Sequence, residues 1–259
     1  MDGKQHITGY IEAKKPGENL DVIETSEQLK RYRNTFPNLI LTDFYEFRLY
    51  RNGQMIDKVS IGRPFIAKKL HIIPPIENEE KFISLLEKYF SFSLPKVFSA
   101  ENLAKELATR TRFLRDEVIA KELEEEEKEK GNIFGFYNAF KQYLVANLSQ
   151  KDFADIYSQT ITYGLFAART RAAEEFNRKV AYDLIPPTIG ILRDVFHFIS
   201  LGKLPLQMEV IVDDIAEVLQ AADVNKILNE YYKKRKGEDP IIHFYETFLN
   251  IYDPATREK

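Results

Sequence analysis

Apolar and polar residues alternate along the first part of the chain, which is the pattern of strands with one buried face. Residues 7–11 form a short β-rich run, and residues 38–50 alternate large apolar side chains with polar ones. Asn52-Gly53 separates the second run from a third one, residues 54–61. Asn-Gly between two such runs predicts a hairpin, because both residues tolerate a positive φ.

A helix is predicted between the first two strands, over residues 25–35. Leu29, Tyr32 and Arg33 lie three or four residues apart there and therefore share one helix face. The order strand, helix, strand, strand predicts a small α/β core over residues 1–75. Asp2-Gly3 resembles the turn of a hairpin, so we expect this core to be incomplete, with its first strand before Met1.

Beyond residue 75 the spacing of apolar residues is helical almost throughout, with Ser99 as a predicted N-cap. The charged run 122–130 is expected to be a solvated helix end. The predicted helices lie over residues 79–92, 99–130, 133–148, 153–182, 189–201, 210–222 and 224–232. The chain is thus predicted to be α+β, with a small incomplete α/β core over residues 1–75 and an all-α helical bundle module over residues 76–259.

Composition excludes several classes of protein. The chain has 259 residues, 44% of them hydrophobic, and a net charge of only −3, which is the composition of a folded protein. The absence of cysteine excludes disulfide scaffolds, iron–sulfur clusters and thiolate zinc sites, and it suits a cytoplasmic protein. No apolar stretch approaches the roughly 18 residues of a membrane span, so we expect no membrane partner.

Charge is distributed unevenly along the chain. Residues 1–75 carry 12 Lys and Arg against 9 Asp and Glu, a net charge of +3, and the remainder therefore carries −6. A basic excess at the front of a chain favours contacts with phosphate groups there.

Candidate chemistry is sparse. The four histidines show no pair at the spacing of helical metal ligands, and no glycine-rich phosphate loop is present, so neither a histidine metal site nor a P-loop is expected. Glu12-Ala13-Lys14 remains, because it ends an apolar strand and its two charged side chains point to the same face. A carboxylate there can hold Mg²⁺ while the lysine stabilises developing negative charge. The alternative is an ordinary salt bridge.

Downstream residues extend this pattern. Gln28 and Tyr32 lie at positions i and i+4 of the predicted helix and share one face. A strand with Glu-x-Lys followed by a helix with Gln-x-x-x-Tyr resembles the PD-(D/E)xK nuclease fold in its RecB-like branch. Longer strings are more specific: residues 9–17 (GYIEAKKPG), 27–32 (EQLKRY) and 38–43 (NLILTD) resemble the N-terminal nuclease region of single-chain type IIG and type ISP restriction–modification enzymes.

In that family a nuclease and an adenine-specific DNA methyltransferase share one polypeptide. Residues 244–249 (FYETFL), 252–254 (YDP) and 257–259 (REK) are similar to the family segment that precedes the methyltransferase. The resemblance implies a restriction-endonuclease-like core followed by a helical coupler. It also implies double-stranded DNA as the partner, Mg²⁺ as the nuclease cofactor and a methyltransferase domain as covalent neighbour in the full-length protein.

The resemblance also implies roles for individual residues. Glu12 would be a metal ligand, the backbone carbonyl of Ala13 a second ligand, and Lys14 the catalytic lysine. Gln28 and Tyr32 would orient the scissile phosphate and the lysine. The residues expected to contact DNA phosphates beside them are Lys15, Lys30, Arg31 and Arg33.

Two departures from the family pattern change what we expect of these 259 residues. The family has an Asp on the strand that precedes the Glu-x-Lys strand, and this sequence has none there, so the chain is expected to begin inside the nuclease domain and to be weak or inactive as a nuclease. It also contains neither Asn/Asp-Pro-Pro-Tyr/Phe nor Phe-x-Gly-x-Gly. S-adenosylmethionine is therefore expected only in the full-length enzyme.

Two alternatives remain open. The first is a non-catalytic DNA-binding or interaction module. Its basic N-terminal region contacts phosphates, and its binding does not depend on a metal ion. The second treats the helical half as a protein-interaction scaffold. Arg169, Arg171 and the basic run 233–236 could touch DNA in that half, but a solvated face accounts for each of them.

Overall fold

The chain is described here by a computed structural model that covers residues 7–63, 75–93, 99–126, 131–173, 175–185, 190–234 and 239–254. The chain divides into two compact units, Met1–Leu94 and Pro95–Lys259. The first contains a mixed sheet with helices and the second is helical, so the predicted α+β class is confirmed. Asp2-Gly3, residues 127–130, Arg235-Lys236 and residues 257–259, all named above, lie outside the described residues.

The first unit is built around one sheet whose described strands have the order β1-β2-β3-β4. β1 and β2 are parallel, and β2, β3 and β4 are antiparallel to one another. A parallel pair needs a crossover connection, and α1 and α2 supply it. The elements are β1 (Tyr10–Ala13), α1 (Leu20–Glu24), α2 (Glu27–Thr35), β2 (Asn38–Thr42), β3 (Glu46–Arg51), β4 (Gln54–Ser60) and α3 (Glu79–Phe90).

One face of the sheet is covered by α3. Leu85 and Tyr89 of this helix are buried against an apolar cluster on the sheet that consists of Ile40, Leu49 and Val59. The helix therefore belongs with the sheet, and the division between the two units lies later in the chain than the predicted boundary after residue 75.

The opposite face carries α1 and α2. Side chains alternate between the two faces of a strand, so Arg48 and Tyr50 lie opposite Leu49. Arg48 forms ion pairs with Asp21 and Glu24 of α1, and the guanidinium of Arg33 on α2 lies over the ring of Tyr50, 5.2 Å from its centroid. This sheet face therefore has a charged network where the other has an apolar cluster.

The predicted hairpin is confirmed. Asn52 and Gly53 connect β3 to β4 with φ values of 50° and 81°, and both lie in the left-handed region. Asparagine and glycine are the residues that adopt this backbone most readily, and two consecutive positive φ angles match the right-handed twist of the strands.

Several predicted boundaries differ from the structure for local reasons. The first strand is Tyr10–Ala13, and the predicted strand 38–50 is divided by a turn at residues 43–45. The helix predicted over residues 25–35 is α2, which begins at Glu27 because the Ser26 side chain caps it by accepting a hydrogen bond from Leu29 N. The helix before it, α1, was not predicted.

The second unit consists of helices. They are α4 (Ala100–Phe113) with a π-helical continuation over Leu114–Ile119, α5 (Ala120–Glu126), α6 (Asn132–Tyr143), α7 (Gln150–Arg169), α8 (Arg178–Leu184), α9 (Gly190–Leu201), α10 (Leu206–Ala221), α11 (Val224–Lys234) and α12 (Pro240–Tyr252). Ser99 caps α4 as predicted, its hydroxyl accepting from Asn102 N. The predicted helix 153–182 is two helices, because Asn177 caps a new one, α8.

The core of this unit is rich in aromatic residues. The rings of Phe166 on α7 and Phe244 on α12 stack with centroids 4.1 Å apart, and Phe153 stacks on Tyr157 at 5.0 Å. The near-heptad positions that predicted α4 are all buried: Leu103, Leu107, Leu114 and Val118. Within the described part of the chain, no single helix has both the length and the apolarity of a membrane span. Helices α9 and α10 have that length and apolarity only when taken together, and the pair is bent by 98°.

Candidate functional site

Glu12 and Lys14 form an ion pair at the end of β1. The Lys14 Nζ atom lies 2.6 Å from Glu12 Oε1, and each side chain is about one-fifth exposed, 21% for Lys14 and 23% for Glu12. The alternation of the strand places both residues on the sheet face that carries α1 and α2. The pair can be reached from solvent, and the lysine ammonium has three donors, of which this contact uses one.

The backbone of Ala13 faces the edge of the described sheet. Lys14 N donates to Thr42 O across the parallel pair at 2.7 Å. The carbonyl of Ala13 belongs to the same trans peptide group as Lys14 N–H and points the opposite way, so it faces away from β2, towards the edge. This orientation is the one that the predicted ligand role of Ala13 requires.

A turn held by Asp43 adjoins the ion pair. The Asp43 carboxylate is buried and accepts three backbone hydrogen bonds, from Gly17 N at 3.0 Å, Tyr45 N at 3.0 Å and Glu46 N at 2.8 Å. Gly17 follows β1, and Tyr45 and Glu46 follow β2, so one carboxylate joins the turns at the ends of the two parallel strands. It thereby fixes the backbone around Lys14.

Gln28 and Tyr32 are also paired. Gln28 Nε2 donates to Tyr32 Oη at 3.4 Å, across one turn of α2. Tyr32 packs edge-on against Phe36, and Phe36 contacts the ring of Tyr10 with centroids 4.0 Å apart. Tyr10 lies two residues before Glu12 on the same strand face, so the structure brings both predicted pairs to one side of the sheet and links them through this aromatic contact.

The residues predicted to contact phosphates have different surroundings. Lys30 is exposed and pairs with Glu27 at 2.7 Å, and this contact lowers the pKa of Glu27. Arg33 is turned towards Glu24, 3.3 Å away, and the ring of Tyr50. Lys15 and Arg31 are exposed. Of these four residues, Lys15 is the nearest in sequence to the Glu12–Lys14 pair. Arg33 instead contacts Glu24 and Tyr50 on the inner side of α2.

Sequence reasoning missed Arg48, which organises that network. Its buried guanidinium forms ion pairs with Asp21, Glu24 and Glu46. Burial acts to lower the pKa of Arg48, but the hydrogen bonds to Asp21 and Glu46 outweigh it and raise the pKa above its usual value. The only local signal was a charged residue at an interior position of a predicted strand, and two of its partners, Asp21 and Glu24, lie far away in sequence.

The donor atoms for Mg²⁺ at this site are few. Glu12 supplies a carboxylate and Ala13 a carbonyl, but Asp43 is occupied by backbone N–H groups. Among the described residues no group of three or more His, Asp or Glu side chains is arranged to hold a metal ion. Mg²⁺ binds six oxygen ligands and usually keeps several waters. A Mg²⁺ ion at Glu12 therefore stays a prediction, with the Glu12 carboxylate and the Ala13 carbonyl as its expected ligands.

A second polar region lies in the helical unit. Tyr252 is buried at the end of α12 and donates to Asp155 Oδ1 at 2.5 Å, and Arg115 donates to Tyr252 Oη at 3.1 Å. Burial, followed by the contact with Asp155, raises the pKa of Tyr252. These residues line a cavity of about 670 Å³, and their charged groups are bonded to one another.

Few known proteins resemble this chain in the comparisons of its sequence and structure. The sequence matches no protein-family model and no curated protein. Among solved structures, the chain is similar to one chain in a cryo-EM structure of a DrdV–DNA complex, with 22% identity and a TM-score of 0.35. The match covers 99% of this chain and 23% of that chain, so this chain spans less than a quarter of the length of that protein.

Proposed function

We propose that the chain is the DNA-binding, nuclease-related part of a restriction–modification enzyme, and that it binds double-stranded DNA at the Glu12–Lys14 end of the sheet. The observation that carries the proposal is the ion pair at the end of β1, on the same sheet face as the Gln28–Tyr32 pair of α2. The resemblance to PD-(D/E)xK nucleases assigns metal binding to Glu12, catalysis to Lys14, and the orientation of the scissile phosphate and of the lysine to Gln28 and Tyr32.

Lys14 is the residue proposed to hold a DNA phosphate. Its ammonium is partly exposed, and a donor that remains after pairing with Glu12 can bond a phosphate oxygen. Lys15 is exposed next to it and adds a second positive charge. Contacts of this kind give affinity that does not depend on sequence and that falls as salt rises.

Glu12 is proposed to bind a divalent cation weakly. Mg²⁺ would supply charge neutralisation between the Glu12 carboxylate and a phosphate that it otherwise repels. With one carboxylate and one carbonyl among the described residues, the affinity for the ion is expected to be low. We therefore expect feeble DNA cleavage, or none, from these 259 residues.

A non-catalytic DNA-binding module is the second candidate. The observation that favours it is the same ion pair. A lysine bonded to a carboxylate, with few further metal ligands around it, is also what an ordinary salt bridge looks like. The two candidates differ in their response to metal, since DNA binding by such a module does not require a cation at Glu12.

Binding of a fluorescently labelled DNA duplex, measured by anisotropy over a range of salt concentrations, tests the proposal. Lys14→Gln should weaken binding and lower the slope of log affinity against log salt by about one. Lys88→Gln is the matched control, because Lys88 also pairs with a carboxylate at 2.6 Å, that of Asp57, and lies in the same unit. Equal slopes for wild type and both variants would contradict a phosphate contact at Lys14.

A further inference from the structure

Phe44 is an exposed aromatic residue in an unfavourable backbone conformation. Its φ is 69°, and the residue is 56% exposed to solvent. The other non-glycine residues with positive φ in the described part of the chain are Asn52 and Asn78. Asparagine tolerates the left-handed region, whereas a bulky side chain rarely adopts it. Neither its backbone nor its own burial accounts for a phenylalanine at this position.

Hydrogen bonds hold the turn that carries Phe44 at the residues before and after it. Phe44 N donates to Thr42 Oγ1 at 2.9 Å, and Asp43 Oδ1 accepts from Tyr45 N and Glu46 N. Asp43 Oδ2 accepts in addition from Gly17 N in the preceding turn. The ring is therefore presented to solvent from a backbone held by four hydrogen bonds.

The turn that carries Phe44 adjoins the proposed DNA site. Thr42 O, two residues before Phe44, accepts the hydrogen bond from Lys14 N. Because β1 and β2 are parallel, the Glu12–Lys14 pair, the exposed Lys15 and Phe44 all lie at the carboxyl ends of neighbouring strands. An exposed aromatic ring next to lysines is the combination with which proteins contact a nucleobase and the adjoining phosphates.

We propose that Phe44 contacts DNA by inserting its ring against a base next to the phosphate bound at Lys14, partly unstacking that base. This inference rests on the proposed function and extends it from phosphate contact to base contact. An apolar side chain that separates neighbouring bases gains the stacking energy of the ring and positions the duplex on the protein. The hydrogen bonds of the turn hold the backbone of Phe44 in place before DNA binds.

The test uses the full chain and a set of duplexes in which 2-aminopurine replaces a different adenine in each, because the fluorescence of this base rises when it unstacks. Phe44→Asn removes the ring and places there a residue that suits the left-handed backbone, so the variant should fold, as circular dichroism can verify. Phe44→Tyr keeps an aromatic ring. Phe90→Asn is the control, at a residue of the same unit that is 66% exposed.

We expect wild type and Phe44→Tyr to raise the fluorescence of at least one duplex. Phe44→Asn should abolish the rise and weaken binding by about 5- to 150-fold, the usual range for one base stacked on an aromatic side chain. Phe90→Asn should behave as wild type. DNA binding without any fluorescence change, or an unaltered affinity of Phe44→Asn, would overturn the base contact and leave the proposed function standing. Failure of the wild-type chain to bind DNA would overturn both.

Discussion

The carboxylate of Asp43 accepts a hydrogen bond from the backbone N–H of Gly17, 3.0 Å away, and joins two turns that are 26 residues apart in the sequence. Gly17 has a φ of 75°, which glycine adopts without strain. The contact connects the end of β1, where Glu12 and Lys14 lie, to the end of β2, where Phe44 is exposed. The position of the candidate site thus depends on a residue that lies outside the Glu-x-Lys and Gln-x-x-x-Tyr motifs.

Replacement of Asp43 should destabilise the first unit. Asp43→Ala leaves three N–H groups without their acceptor, and we expect the free energy of unfolding to fall by roughly 2–4 kcal/mol. Asp43→Asn can keep the bonds from Tyr45 and Glu46 and should cost less. Asp57→Ala, which removes an ion pair to a half-exposed lysine, should cost under about 1 kcal/mol. Urea denaturation followed by circular dichroism gives all three values, and equal losses for Asp43→Ala and Asp57→Ala would contradict the assignment.

Arg48 should be the most sensitive charged residue of the sheet. Arg48→Met removes the cation from between Asp21, Glu24 and Glu46 and leaves carboxylates close to one another. Loss of one partner from a buried ion pair usually costs about 3–5 kcal/mol. Glu46→Gln keeps two of the three partners and should cost clearly less. Urea denaturation measures both, and a loss under about 1 kcal/mol for Arg48→Met would show that the network contributes little.

Two helical glycines should respond to alanine in opposite directions. A Cβ atom at Gly164 would lie 2.0 Å from Phe196 Cζ, so Gly164→Ala should destabilise the second unit by roughly 1–3 kcal/mol. A Cβ atom at Gly135 would meet open space, so Gly135→Ala should stabilise its helix by about 0.5–1 kcal/mol. Phe196→Leu in the Gly164→Ala background should recover part of the loss. Thermal unfolding compares the variants, and a stabilising Gly164→Ala would contradict the contact.

The first unit should lose stability at alkaline pH. Burial raises the pKa of Tyr89 to about 12, from 10.0 for an unperturbed phenol. Above pH 10 the unfolded chain releases this proton while the folded chain holds it, so stability present below pH 10 is lost progressively up to pH 12, by roughly 2–3 kcal/mol. Tyr89→Phe should reduce this loss, and Tyr45→Phe serves as the control. Urea denaturation at pH 9 and pH 11.5 measures the free energy of unfolding of each protein at both pH values. If it changes with pH equally in wild type and Tyr89→Phe, the raised pKa of Tyr89 is contradicted.

Much of the local structure is predictable because single residues determine it. Asn52-Gly53 specifies its hairpin by backbone preference, and Ser99 its helix start by capping. The alternation of side chains along a strand predicts that Glu12 and Lys14 share one face of the sheet, and their ion pair agrees with that prediction. In each case the information lies within a few residues.

What the sequence did not reveal depends on contacts between distant residues. The turn that divides residues 38–50 exists because Asp43 bonds Gly17 as well as its own neighbours, and alternation alone reads that region as one strand. The network of Arg48 joins β3 to α1, and the packing of α3 on the sheet places the unit boundary after residue 94. Phe44 has the sequence pattern of an ordinary strand residue, and only its φ and its exposure in the structure distinguish it. Periodicity carries no information on any of these.

The most direct test of the account is the affinity of the full chain for duplex DNA with and without Mn²⁺, for wild type and Glu12→Gln. Glu27→Gln is the control, since Glu27 also pairs with a nearby lysine at 2.7 Å but lies outside the proposed metal site. The account predicts that Mn²⁺ strengthens DNA binding by wild type and Glu27→Gln, and that Glu12→Gln loses this increment. Equal responses to Mn²⁺ in all three proteins would contradict a cation at Glu12 and favour a module that binds DNA without metal.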